Sequence, residues 1–400
     1  MVGMPFSDRA QGLTASMTFA ISAKAAEMRR QGIDVINMST GEPDFPTPPH
    51  VVEAAMAYLR EGQVKYTPVA GLPELREAVA RNFARGLSLD LGSDQVIVTG
   101  GAKHALYLAL QVLCNPGDEV VFARPYWLSY PEMVRLASAR PVTVPTRAED
   151  GFALDPAAVA AAITPRTRVL ILNSPANPTG SILPRDNLER LAELALRHDL
   201  WLLSDEIYSE LTYDEPRPAS LLSLGPEVRA RAIVVNGVSK TYAMTGWRIG
   251  YAAGPTEVVG LMARLQSHET ANPNTLAQVA TLAALTGDQA VVEERRRIFD
   301  ERRRLAHIAV AAIPGWICPE PQGAFYLFPK IAALFGRSSG DRRLTSSMDL
   351  AQALLEAAHV ATVPGHVFGD DQHLRLSYAT SAANIEEGTH RLLTFSETLG

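Results

Sequence analysis

Leu200-Trp201-Leu202-Leu203-Ser204-Asp205-Glu206-Ile207-Tyr208 and, further on, Ala232-Ile233-Val234-Val235-Asn236-Gly237-Val238-Ser239-Lys240 are the stretches whose reading decides the fold. Each opens as an apolar run of strand length and then breaks off into chemistry. Gln95–Thr99, Glu119–Ala123, Arg168–Leu172 and Ile249–Ala253 read as further strands, most of them Val/Ile/Leu runs. Such runs suit strands covered on both faces of a mainly parallel sheet. Between them, 102–114, 184–198 and 257–265 carry helical patterns, so the middle of the chain is expected to be a doubly wound α/β domain. After about Asp288 the character changes. Glu293–Arg304 reads as a helix of mixed charge, a better account than a basic patch for an anionic partner. Gly323–Phe328 and His373–Tyr378 are strand candidates of a smaller α+β domain. The expected division is residues 46–290 for the large domain and 291–400 for the small one. Residues 1–45, with a helix around Ser22–Gln31, are expected to join the small domain, and 330–349 is expected to be a mobile loop around Gly336–Asp341.

Bulk properties narrow the function. The 400 residues are 47% hydrophobic and 20% charged, with mean hydropathy near zero and a net charge of −6. That balance argues against nucleic-acid binding by bulk electrostatics. Cys114 and Cys318 lie far apart without metal-type spacing, so no metal site is expected and both read as core thiols of a reducing compartment. With neither a basic start before an apolar core nor an apolar stretch near the ~20 residues of a membrane span, the cytoplasm is the expected location and no membrane partner is expected.

The residues past the strand ends converge on one region, because open α/β sheets bind ligands outside the carboxyl ends of their strands. A lysine at the mouth of a buried strand loses solvation, so the Lys240 amine becomes a usable nucleophile near neutral pH. Arg248 offers a phosphate-binding guanidinium. Gly100-Gly101-Ala102-Lys103 opens a helix directly after a strand, where backbone N–H groups meet a phosphate. Amine, carboxylate, phenol and guanidinium together are what a protein needs to hold pyridoxal phosphate. On that reading Lys240 holds the cofactor as an imine and moves the α-proton, while Asp205 pairs with the pyridine nitrogen. The alternative for Asp205 is an ordinary N-cap. Tyr208 and Asn177 can reach the phenolic oxygen; their alternatives are a core tyrosine and a turn residue before Pro178. Trp127 stacks on the ring or packs in the core. Arg375, inside an apolar segment, clamps a substrate α-carboxylate or closes an internal salt bridge.

These motifs stand in one order along nearly the whole chain: Gly41-Glu42-Pro43-Asp44-Phe45, Lys65-Tyr66-Thr67-Pro68, Asn173-Ser174-Pro175 with Asn177-Pro178-Thr179-Gly180, Asp205-Glu206-Ile207-Tyr208, Ser239-Lys240, Gly246-Trp247-Arg248-Ile249-Gly250 and Arg375-Leu376-Ser377-Tyr378. As a set they resemble the class I (fold type I) aminotransferases. The resemblance implies that Lys240 is the Schiff-base lysine, Asp205 the ring-nitrogen partner and Arg375 the α-carboxylate clamp, with Gly41 and Trp127 on the substrate side. It implies a homodimer in which Tyr66 reaches the cofactor phosphate of the neighbouring subunit. Pro125-Tyr126-Trp127, Ser129-Tyr130-Pro131-Glu132, Lys103 and Thr18 resemble the bacterial aspartate and aspartate/prephenate group, where Lys103 and Thr18 would read an acidic side chain. A desolvated lysine there would disfavour neutral substrates; the alternative is a solvated first-turn lysine. Gly237 departs from the family by lacking a hydroxyl. The expected activity is ping-pong transamination between aspartate or another dicarboxylic amino acid and 2-oxoglutarate. Alternatives on the same fold are a β-lyase, a cyclase or oxidase, an aminotransferase for aromatic or neutral amino acids, and the effector domain of a regulator, which would need a DNA-binding domain attached.

Overall fold

The structure is a computed structural model that describes residues 6–14, 17–87, 89–214 and 218–400; the side chains of 8–9 and 17–19 lie outside that description. The first strand, β1 (Ile36–Asn37), belongs to the smaller part of the molecule. It is followed by β2 (Val96–Thr99), β3 (Glu119–Arg124), β4 (Arg140–Pro145), β5 (Thr167–Asn173), β6 (Trp201–Asp205), β7 (Ala232–Gly237) and β8 (Gly250–Ala253). Strands β2 to β8 form one sheet in the order β2-β8-β7-β6-β5-β3-β4. The central pairs are parallel, and β8 runs antiparallel to both neighbours. The runs are continuous in apolar residues because both faces are covered. Val98, Leu170, Leu202 and Val234 enter one core, whereas Ile97, Val169, Leu203 and Ile233 enter another on the opposite face. Alternation of side chains along each strand sorts them.

Six of these strands coincide with sequence runs within about two residues. The exception is β4, with Pro141 and Pro145 in six residues. Proline is tolerated there because β4 is the sheet edge, pairing with β3 alone. The turns after β5, β6 and β7 leave from the same end of the sheet, so Asn177, Asp205, Tyr208 and Lys240 start out as neighbours.

The remaining strands are β9 (Tyr326–Leu327), β10 (Ser338–Ser339), β11 (Arg342–Arg343), β12 (Val360–Ala361), β13 (Val363–Pro364) and β14 (Leu374–Ser377). β13, β14 and β9 form an antiparallel sheet, and β1 pairs in parallel with β12. Ala25, Met28 and Val35 pack against Leu355 and Ala361, tying the amino-terminal helix to this part. The segment expected to be a mobile loop instead contains the β10–β11 hairpin, turned by Gly340-Asp341, a two-residue connection of the kind that closes hairpins. Helix Ala290–Ala311 is one continuous rod. Its charges pair along it, Arg296 with Glu293 and Arg304 with Asp300, while buried Arg303 is gripped by Asp300, Asp214 and Glu320.

Candidate active site

Lys240 lies just beyond β7, with its amine donating to the Gly41 carbonyl at 2.7 Å. Burial lowers its pKa to about 8, despite the opposing pull of the Glu42 carboxylate; Arg375 and Arg248 depress it further. Lys240 is therefore a half-buried amine that holds its proton less tightly than an ordinary lysine.

Asp205 closes β6. Its Oδ2 accepts from the Tyr130 hydroxyl at 2.7 Å and its Oδ1 from the Ile207 N–H at 3.3 Å. Burial raises its pKa to about 6, and those two hydrogen bonds with the Lys240 charge hold it back from rising further. No cation among the described residues bonds it directly. A buried carboxylate without a counter-cation is costly, and a protonated pyridine nitrogen supplies one. Asp205 caps no helix.

Tyr208 is buried, with its hydroxyl 2.8 Å from that of Tyr326. Asn177 follows a Pro175 turn, its N–H bonded to Asn173 Oδ1 at 3.0 Å. Its own Oδ1 accepts from Arg375 Nη1 at 3.2 Å. Arg375 Nη2 donates to the Ser39 carbonyl at 2.8 Å, and the guanidinium stacks 4.5 Å above the Tyr326 ring and 5.1 Å from that of Phe368. Arg375 is 2% exposed, its Nε has no partner, and no carboxylate among the described residues pairs with it. The internal salt bridge is therefore absent among the described residues. Burial lowers its pKa for the same reason. A Cβ at Gly41 would lie 3.3 Å from the Tyr326 hydroxyl and 4.0 Å from Arg375 Nη2, so glycine keeps the front of the guanidinium open.

The other end of the cleft is built on close backbone approach. Gly101 has φ +102, and a Cβ there would sit 2.4 Å from Arg248 Nη2. A Cβ at Gly250 would strike Ala102 N at 2.1 Å. Only glycine at these two positions lets the start of helix Ala102–Leu113, the β8 strand and the guanidinium meet. Arg248 is exposed, donating to Thr245 O at 2.8 Å, and no carboxylate among the described residues pairs with it. A guanidinium beside free N–H groups at a helix N-terminus suits a phosphate.

Lys103 corrects an expectation. It is exposed rather than buried, and its ammonium lies 5.0 Å over the Trp127 ring. Partial desolvation, and then the Arg248 charge, lower its pKa. It forms no ion pair among the described residues. Tyr66 is 91% exposed and bonds nothing else in the chain's site. The Thr18 side chain lies outside the described residues. Two residues escaped role assignment from sequence: Tyr130, which had only a place in a motif, and Tyr326, which had only a place in a strand. An aromatic hydroxyl inside an otherwise apolar run was the available signal for Tyr326.

A carboxylate and a buried arginine with no oppositely charged partner among the described residues, a lysine of lowered pKa and an exposed guanidinium beside a helix N-terminus are thus brought together. The chain matches the family of aminotransferases of class I and II over residues 33–392, and it belongs to that family. It is an aminotransferase whose cofactor is pyridoxal 5'-phosphate. It is 46% identical to an aspartate aminotransferase of Geobacillus stearothermophilus, covering 98% of this chain and 99% of that one. It is 45% identical to an aspartate/prephenate aminotransferase of Thermus thermophilus, covering 98% of each. Among solved structures, the aspartate aminotransferase of Rhizobium meliloti superposes with a TM-score of 0.95 at 41% identity over 100% of both chains. That of Thermus thermophilus with maleate gives 0.92 at 44% identity, covering 98% of this chain and 100% of that one.

Proposed function

We propose that this aminotransferase moves the amino group of a dicarboxylic amino acid, aspartate first, to a 2-oxo acid such as 2-oxoglutarate. The observation that carries this reading is Lys103, an exposed cation with no carboxylate partner among the described residues and an aromatic ring beneath it. A second carboxylate on the substrate supplies the missing partner. Relatives named aspartate aminotransferases, one of them solved with the dicarboxylate maleate, support the same substrate class.

When bound, pyridoxal phosphate supplies an electron sink next to the substrate Cα. The chain's residues do the rest. Arg248 with the helix-start N–H groups of Ala102 and Lys103 would hold the phosphate, with Gly101, its own N–H bonded to the Thr99 carbonyl, allowing their close approach, and Trp127 would cover the ring. Asp205 would keep a proton on the ring nitrogen, which deepens the sink, while Tyr208 and Asn177 would address the phenolic oxygen. Arg375 fixes the α-carboxylate by its planar fork, with Asn177 and Ser39 holding the guanidinium in place. Lys240, its pKa lowered to about 8, would be the base that moves the substrate α-proton. Lys103, with Thr18, reads the side-chain carboxylate. The site is completed in a homodimer, with Tyr66 contributing to the neighbour's phosphate. Exposed Met56, Leu59, Val64 and Tyr66, close together in sequence, support a face covered by a second copy. The reading places the reaction in the cytoplasm; the unpaired Cys114 and Cys318 are in keeping with a reducing compartment. No described helix is long and apolar enough to cross a membrane.

Incubation with aspartate and 2-oxoglutarate tests the reading. Oxaloacetate and glutamate are expected in equal amounts, faster than the products of an aromatic or aliphatic donor. Loss of the amino group without a matching aminated product would contradict it.

A further inference from the structure

The phenol of Tyr130 has no part in the roles above, yet it makes the shortest polar contact to Asp205. Tyr130 is 2% exposed and sits on helix Ser129–Leu136, beyond the end of β3. Its hydroxyl reaches across to the Asp205 carboxylate at 2.7 Å, while its ring stands edge-on to Trp127, with centroids 5.4 Å apart and planes at 86°. One side chain thus touches both the carboxylate expected under the ring nitrogen and the indole expected over the ring face. We propose that Tyr130 is a positioning residue for the cofactor ring, fixing the plane of the Asp205 carboxylate and giving it a charge-assisted hydrogen bond. The proposal rests on Asp205 being the ring-nitrogen partner.

Four titratable groups surround that carboxylate. Tyr130 comes from helix Ser129–Leu136, Glu206 and Tyr208 from the turn after β6, and Lys240 from beyond β7. Burial drives Asp205 toward its neutral form, and the Tyr130 hydroxyl opposes this most strongly. A neutral Asp205 cannot pair with a pyridinium. The Tyr130 phenol itself is pushed far above its ordinary value by burial and by the Asp205 charge, so it remains a donor throughout the working range. The same hydroxyl holds one carboxylate oxygen in place while Ile207 N–H holds the other, which leaves the remaining lone pairs aimed in a fixed direction.

The test is a double-variant cycle read as cofactor affinity, by equilibrium dialysis of the full-length protein against pyridoxal phosphate between pH 6 and pH 9. Tyr130→Phe keeps the ring and its packing on Trp127 and removes only the hydroxyl. It is expected to weaken cofactor binding about tenfold near pH 6, as for loss of a hydrogen bond to a charged group. The deficit is expected to shrink below about twofold near pH 9, where the carboxylate is ionised without help. Adding Tyr130→Phe to Asp205→Asn is expected to change nothing further. A deficit that persists in the double variant, or that is equal at every pH, would mean Tyr130 only packs the ring, and the proposal falls. An Asp205→Asn protein that binds cofactor as tightly as the unmodified chain would instead overturn the reading of Asp205. If the Phe variant does not fold, 3-fluorotyrosine at position 130 replaces it. As a stronger donor, it must shift affinity near pH 6 in the opposite direction.

Discussion

Arg375 and Lys103 are both cations without a carboxylate among the described residues, and they stand at opposite extremes of construction. Arg375 is buried, held by Asn177 and Ser39 and lying against the rings of Tyr326 and Phe368. Lys103 is exposed, its ammonium over the Trp127 ring and bonded to no other group among the described residues. The difference follows from what each meets. Every amino acid brings an α-carboxylate, so a rigid, desolvated fork is always matched by charge, and its geometry sets the substrate's pose. Only some substrates bring a second carboxylate. A flexible, solvated lysine costs little when that group is missing, because water and the indole face serve it instead. On the function proposed above, catalysis would be built into the buried side of the cleft, and choice of substrate into the exposed side.

The largest effect is expected on the buried side, at Lys240. Lys240→Ala should lower transamination by about 10⁴-fold or more, since the amine acts both as attachment and as base. Borohydride reduction of the unmodified protein followed by peptide mapping should place the pyridoxyl label on Lys240. A label on any other lysine contradicts the assignment and, with it, the division between the two sides.

A smaller but still large effect belongs to Asp205. Asp205→Asn should slow α-proton removal by roughly 10²-fold or more, each tenfold being ~1.4 kcal/mol of barrier. It should also remove a pH dependence of stability. The carboxyl is raised on folding from 3.8 to about 6, so the stability it contributes is complete below about pH 4 and is lost as pH rises to about 6. That loss is on the order of 3 kcal/mol in the cofactor-free chain. Thermal melts of the two cofactor-free proteins check this. The variant should gain on the unmodified chain between pH 4 and pH 7, and parallel curves would mean that Asp205 is not held neutral by burial.

Much of this arrangement was legible in the sequence, for reasons that differ from place to place. The strands β5, β6 and β7 announced themselves because strands covered on both faces cannot hide their apolar residues, and the polar residues that follow them had to emerge at one end. Edge strand β4 was silent because its prolines are allowed only where one side goes unpaired. Arg375 was legible as a buried cation in an apolar strand, although its lack of a carboxylate partner among the described residues required the fold. The exposure of Lys103 was not legible. A helix's first turn faces solvent or core according to how the helix docks, which is a tertiary matter. Tyr130 was invisible as a partner because its contact with Asp205 spans 75 residues of chain. Sequence patterns report local period and burial, whereas a hydrogen bond between distant elements depends on their packing.

The comparison between the two cations is tested most directly by measuring kcat/KM for aspartate and for a neutral amino acid in Lys103→Ala and Arg375→Ala. Arg375→Ala should depress both substrates together, by about 10²-fold or more, as for truncating one member of a buried charged pair. Lys103→Ala should cut aspartate by ~10²-fold, the loss of a charge-assisted contact of ~2–3 kcal/mol, and leave the neutral substrate unchanged or slightly improved. Equal losses for aspartate and the neutral substrate in Lys103→Ala would show that this lysine serves the phosphate or the fold, and would contradict the account of substrate choice.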